Sequence, residues 1–169
     1  LLKQSTHGPE RALVGGDHTP TRMGYAPTRR CREYMLRLRA FVDEEVIPAE
    51  SALMKIHGLD SADRWKRHPL SNRLLADARR RGLFNLWIPP HLLRLLMDRH
   101  SSWPWKELVP HTADGGAFSH LDYAFLAAES GRSLFCADAI NCAAPDTGNM
   151  EIIAHFGSDA QHDRYLLDL

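Results

Sequence analysis

The sequence predicts an all-α fold, a helical bundle of about five or six helices behind a disordered N-terminal segment. Two observations carry this. Apolar residues recur at i, i+3, i+4 and i+7 in several separate stretches, the spacing of a buried helix face. N-cap residues and glycine stops bracket those stretches. The 169 residues, 44% hydrophobic and 25% charged, suit one soluble domain with a real core.

Residues 1–27 hold Gly8, Pro9, Gly15, Gly16, Pro20, Gly24 and Pro27 with no apolar period, and read as a linker or disordered tail. Lys3, Arg11 and Arg22 hint at a transit peptide, but Glu10 and Asp17 oppose it, so a connector from an upstream segment is the better reading. A helical domain follows over 28–169.

Residues 28–55 predict the first long helix, with Met35, Leu38, Val42, Val46, Ala49 and Leu53 on one side. Pro48 predicts a kink. The arginines Arg29, Arg30, Arg32, Arg37 and Arg39 read as a solvated face, because acidic residues follow within two turns. Positions 58–68 form a polar connection. Pro69 then opens a helix with Leu70, Leu74 and Ala78 inward, and Gly82 ends it. Arg79, Arg80 and Arg81 suit the negative end of that helix dipole. The apolar connector Leu83 to Pro89 must be buried.

Residues 91–118 are the anomalous stretch of the sequence. Leu92, Leu93, Leu95 and Leu96 predict a short amphipathic helix, followed by turns and exposed tryptophans at Trp103 and Trp105. A lid over a pocket is a second reading of the same stretch. Ser119 caps the next helix with Asp122 as its back-bonding acid, and Leu121, Ala124, Phe125 and Ala128 are its predicted buried face. Ser133 to Ala144 reads as a helix of small residues. Pro145 and Asp146 start another, with Met150, Ile153, Ala154 and Gly157 inward and Gly157 as a left-handed stop. Ser158 and Gln161 make a capping box for a final helix carrying His162, Tyr165, Leu166 and Leu169. The pattern breaks off in mid-helix, and we expect a domain cut from something longer.

Lys+Arg and Asp+Glu are both 21, which argues against a nucleic-acid binder. No stretch approaches the ~20 apolar residues of a membrane span. Cys31, Cys136 and Cys142 contain no C-x-x-C pair, so a disulfide framework or zinc ribbon is not expected and a reducing compartment is the simpler reading. The ten histidines show no metal-ligand spacing on a helix, and no metal site is expected. No nucleophile elbow or phosphate-binding glycine loop is present, so the sequence offers no self-contained active site and no catalytic residue.

Ala144-Pro145-Asp146-Thr147-Gly148-Asn149-Met150-Glu151, then Phe156-Gly157, Gln161 and Tyr165-Leu166, resembles the N-terminal helical domain of acyl-CoA dehydrogenases, above all the large members with an upstream phosphotransferase-like domain. Phe41 to Glu50, Gly82 to Leu86 and Leu121 to Glu129 carry the same likeness, which covers 28–90 and 117–169 and makes 91–118 an atypical insertion, from alternative splicing or as a family-specific loop. The resemblance implies an FAD-dependent oxidoreductase that removes an α-proton and a β-hydride from an acyl-CoA in fatty-acid β-oxidation. It places the catalytic base and the main flavin site in a middle β-domain and a C-terminal helical domain. It implies FAD in the full-length protein and none for this chain alone, an acyl-CoA substrate, a homo-oligomer when complete, and a mitochondrial or peroxisomal location. It makes Ile140, Ala143, Ala144 and Thr147 candidate wall positions of the acyl pocket, with the two alanines leaving room for a long or branched chain. The other reading is a truncated helical module that is catalytically inert and acts by binding partners.

Overall fold

A computed structural model describes residues 24–56 and 67–167. Residues 1–23 of the expected tail, most of the polar connection at 58–68, and Leu169 lie outside the described residues. Among the described residues the regular structure is helical throughout, as expected.

Helix α1 (Arg29–Phe41) starts where the Thr28 hydroxyl accepts the Cys31 N–H. It runs into a π-helical turn, Val42–Val46, and on into α2 (Ile47–Ile56). The π turn lies directly ahead of Pro48. A proline ring clashes with the carbonyl four residues back, here that of Glu44, and the wider turn is a way to relieve that clash. Cys31, Tyr34, Leu38, Phe41, Val42, Val46, Ala49 and Leu53 are buried along one side, close to the predicted stripe. The arginine face is only partly a solvated one. The Arg30 guanidinium lies 4.2 Å from the Phe118 ring centroid and donates to the His111 carbonyl at 2.6 Å. Arg39 grips Glu129.

Helix α3 (Pro69–Arg80) begins at Pro69 as predicted, with the His68 ring accepting the Leu70 N–H. Gly82 ends it at φ +74°, a conformation that costs other residues a Cβ clash. Arg81 then spans Asp77, Glu44 and Glu45, tying the end of α3 to the π turn. The connector Leu83 to Ile88 is buried throughout, as its composition requires.

Helix α4 (Pro90–Arg99) buries Leu92, Leu93 and Leu96, and the short α5 (Trp105–Leu108) follows. The two tryptophans are half-buried, not exposed. The Trp103 indole donates to Asp163 at 3.1 Å and that of Trp105 to the His100 carbonyl at 2.9 Å. A 3₁₀ turn, Pro110–Asp114, leads toward α6 (His120–Ser130).

Helix α6 departs from the predicted face, of which Phe125 alone is half-buried against the core. Leu121 is 44% exposed and Ala124 and Ala128 are also exposed, while Asp122, Leu126, Glu129 and Ser130 point inward. The reason lies on α1. Asp122 accepts from the Thr28 N–H at 3.0 Å and from its hydroxyl at 3.1 Å, so its carboxylate serves another helix and not its own cap. Glu129 receives the Arg39 guanidinium. Buried carboxylates need such partners, and the partners turn the helix.

Ser133 to Ala144 is mostly turn, with helix α7 confined to Cys136–Ala139. Glu50 takes the Ser133 hydroxyl at 2.6 Å and the Leu134 N–H at 3.3 Å, fixing the chain just before α7. Asn141, in left-handed backbone at φ 53°, ends the helical pattern just after it. Helix α8 (Asp146–Phe156) buries Met150 and Ala154. Gly157 ends it in extended backbone at φ −72° and ψ 151°, not in the left-handed conformation. The residue is needed for space. A Cβ there would lie 2.5 Å from the Ile153 carbonyl oxygen and 2.8 Å from the His162 ring. The expected capping box is formed: Gln161 N–H to the Ser158 hydroxyl at 3.3 Å, and Ser158 N–H to the Gln161 side chain at 2.8 Å. It starts the short α9 (Asp159–Gln161), which passes into a π turn, His162–Leu166.

Ser158→Ala is expected to lower the unfolding free energy by ~1 kcal/mol, the usual loss for an N-cap. Gly157→Ala is expected to cost about 1–3 kcal/mol, as overpacking does. Denaturant midpoints check both, and a Gly157→Ala midpoint equal to wild type would mean that the His162 ring does not press on this glycine.

Candidate functional site

Of the four candidate wall positions, Ile140, Ala143 and Ala144 sit on the turn between α7 and α8, and Thr147 on the first turn of α8. Ile140 is 1% exposed and belongs to the core, whereas Ala143 and Thr147 are half-buried and Ala144 is exposed. The structure therefore brings Ala143, Ala144 and Thr147 together near the surface and sets Ile140 beneath them. The Thr147 N–H donates to the Ala143 carbonyl at 3.1 Å, and the Ala144–Pro145 peptide is cis.

Two left-handed asparagines lock that turn to the buried connector. Asn85 stands at φ 55°, and short polar side chains tolerate this region better than others. The Asn141 amide donates to the Asn85 side chain at 2.9 Å. The Asn85 amide donates to the Leu108 carbonyl at 2.9 Å, and its backbone N–H to the Ile140 carbonyl at 3.0 Å. Neither asparagine is marked by apolar spacing, so periodicity passes over both.

Three buried thiols and one buried histidine are held in their neutral forms. Burial pushes the thiols of Cys31, Cys136 and Cys142 up to about 12, so they stay protonated and are poor nucleophiles. Burial likewise pushes His111 down to about 4. Its Nδ1 bonds the Phe84 carbonyl at 3.1 Å, its ring stacks on Phe118, and its Nε2 has no partner. It is a neutral core histidine, closed off from any opening described here.

Two openings flank α8. A cavity of about 40 Å³ lies on its inner side, between Trp87, Leu92, Leu96, Trp105, Met150 and Ala154. An open groove of about 340 Å³ lies on its outer side, lined by Ile152, Ile153, Phe156, Gly157, Gln161 and Tyr165. Neither lining contains a cationic side chain, so neither suits a pyrophosphate. The stretch 91–118 thus covers the Met150 and Ala154 side of α8 and leaves the opposite side open. Phe156 is 84% exposed and Ile152 60%. Among the described residues no helix is long and apolar enough to cross a membrane.

No family model matches the sequence. The chain is 33% identical over 138 residues to acyl-CoA dehydrogenase family member 10 of Mus musculus, a match that covers 82% of this chain and 11% of that protein. It is 31% identical over 142 residues to family member 11 of Gallus gallus, covering 82% of this chain and 15% of that protein. A solved structure of a candidate acyl-CoA dehydrogenase from Mycobacterium abscessus superposes with a TM-score of 0.63 at 35% identity, over 85% of this chain and 33% of that one. The chain therefore spans a small part of the length of its relatives, and its helices are consistent with their N-terminal helical domain.

The outer side of α8 is expected to bind a hydrophobic dye. Phe156→Glu should remove most of that fluorescence while changing stability by no more than about 0.5 kcal/mol, as for other exposed sites. Undiminished fluorescence would locate the dye elsewhere.

Proposed function

From its homology to the acyl-CoA dehydrogenase family, we propose that this chain is the N-terminal helical part of an FAD-dependent acyl-CoA dehydrogenase-like oxidoreductase. In that reading it walls the acyl pocket of an enzyme whose catalytic base and flavin site lie in other domains. The observation that carries the proposal is the joint match in sequence and fold, at 35% identity and a TM-score of 0.63. The two openings beside α8 have linings without cations, which supports a reading in which the flavin is held by other domains. The chain alone is accordingly proposed to hold no FAD and to be inactive, with FAD and acyl-CoA bound by the complete protein.

Ala143, Ala144 and Thr147 would meet the acyl chain, and the two small residues would leave it room. The outward apolar residues then have a use. Leu121 on α6, Leu134 before α7, and Ile152 and Phe156 on α8 would pack against the middle and C-terminal domains or a second subunit. A mitochondrial or peroxisomal site of fatty-acid β-oxidation accompanies this reading. The exposed apolar residues equally suit an inert helical module that binds partners, and activity separates the two.

Residues 24–169 can replace the corresponding helical region of family member 11. The chimera is expected to bind FAD and to have its flavin bleached by acyl-CoA. Ala143→Trp in the chimera should raise KM for long acyl chains at least several-fold and spare short ones. A folded, flavin-loaded chimera that no acyl-CoA reduces would favour the inert module.

A further inference from the structure

We propose that His100, Asp159 and His162 form a site for one divalent transition-metal ion of the zinc type, clamping the end of α4 to the C-terminal turns. Three ligand atoms, one from each residue, lie within 4.8 Å of one another. His100 Nε2 faces His162 Nδ1 at 2.7 Å and stands 3.8 Å from Asp159 Oδ1. This placement is independent of the acyl-pocket reading and uses none of its residues.

Both rings are held before any ion arrives. His100 follows the last turn of α4, where its N–H donates to the Leu96 carbonyl at 2.8 Å. Trp103 stacks on its ring at 4.3 Å between centroids. His162 is completely buried and lies over Gly157. Its Nε2–H donates to the Ile153 carbonyl at 2.8 Å, which leaves the Nδ1 lone pair directed at His100. A second ring nitrogen bonded to a backbone carbonyl is the usual way a metal-ligating histidine is oriented.

Bond lengths of about 2.0–2.2 Å around a tetrahedral ion set ligand atoms about 3.3 Å apart. The ring nitrogens would open slightly from 2.7 Å and the carboxylate would close from 3.8 Å. Asp159 can make that move because its side chain is 69% exposed. Arg99, which donates to Asp159 Oδ1 at 2.6 Å, would share or yield that oxygen. Without an ion, His100 Nε2–H donates to His162 Nδ1. With one, that proton moves to His100 Nδ1 as the neutral ring changes tautomer, and water takes the fourth position. Two imidazoles and one carboxylate are a donor set that suits zinc. The sequence hides the site, since His100 stands 62 residues from His162.

The test is calorimetric titration of the chelator-treated full chain with zinc, with cobalt(II) absorption reporting coordination. One ion per chain is expected, with the visible bands of a low-coordinate cobalt site and a raised Tm. Asp159→Asn, at an exposed position, and His100→Gln should each weaken zinc about 10-fold or more. His91→Gln, outside the cluster, should leave affinity unchanged. No bound ion, or an affinity that neither Asp159→Asn nor His100→Gln alters while the circular dichroism stays native, would overturn the proposal.

Discussion

The polar seam between α1 and α6 is the constraint on which the rest of the structure depends. Two carboxylates on α6, Asp122 and Glu129, are 7% and 6% exposed. Asp122 closes the start of α1 through Thr28, and Glu129 receives Arg39 two turns further along. Turning the helix would take both buried carboxylates away from these partners, and a buried acceptor left unsatisfied costs stability. α1 and α6 accordingly pack together more extensively than any other two helices. Glu50, further along the same continuous helix, then fixes Ser133 and Leu134 and so positions α7 and the candidate wall.

The seam also explains what the sequence could and could not convey. Periodicity works where apolar burial decides orientation, and α1, α3 and the inner side of α8 follow their predicted stripes. It fails on α6, where Leu121, Ala124 and Ala128 have the right spacing yet face outward. There the polar partners outweigh a modest gain from burying two alanines and a leucine. Gly157 ends α8 where expected, but it serves the His162 ring, a contact no local pattern encodes. Of the candidate wall, Ala143 and Ala144 on the turn and Thr147 at the start of α8 lie together near the surface, and Ile140 lies under them because Asn85 and Asn141 hold that turn from below. The cluster of His100, Asp159 and His162 was invisible for the same reason as the seam, since both depend on long-range polar contacts.

The two sides of α8 give the chain its functional character. One side is closed by α4 and the tryptophans of the 91–118 stretch. The other keeps Ile152 and Phe156 at the surface beside Tyr165. In the proposed enzyme these residues would be interior, and the helical region would contribute shape more than chemistry. That division agrees with buried thiols held protonated, a core histidine held neutral, and carboxylates committed to structure.

A double-mutant cycle on Arg39→Met and Glu129→Gln tests the central claim, that polar pairing and not apolar spacing orients α6. A coupling energy of about 1–3 kcal/mol is predicted, in the range for residues in direct contact. Additive effects, with no coupling, would show that the seam does not hold the helices and would contradict the account.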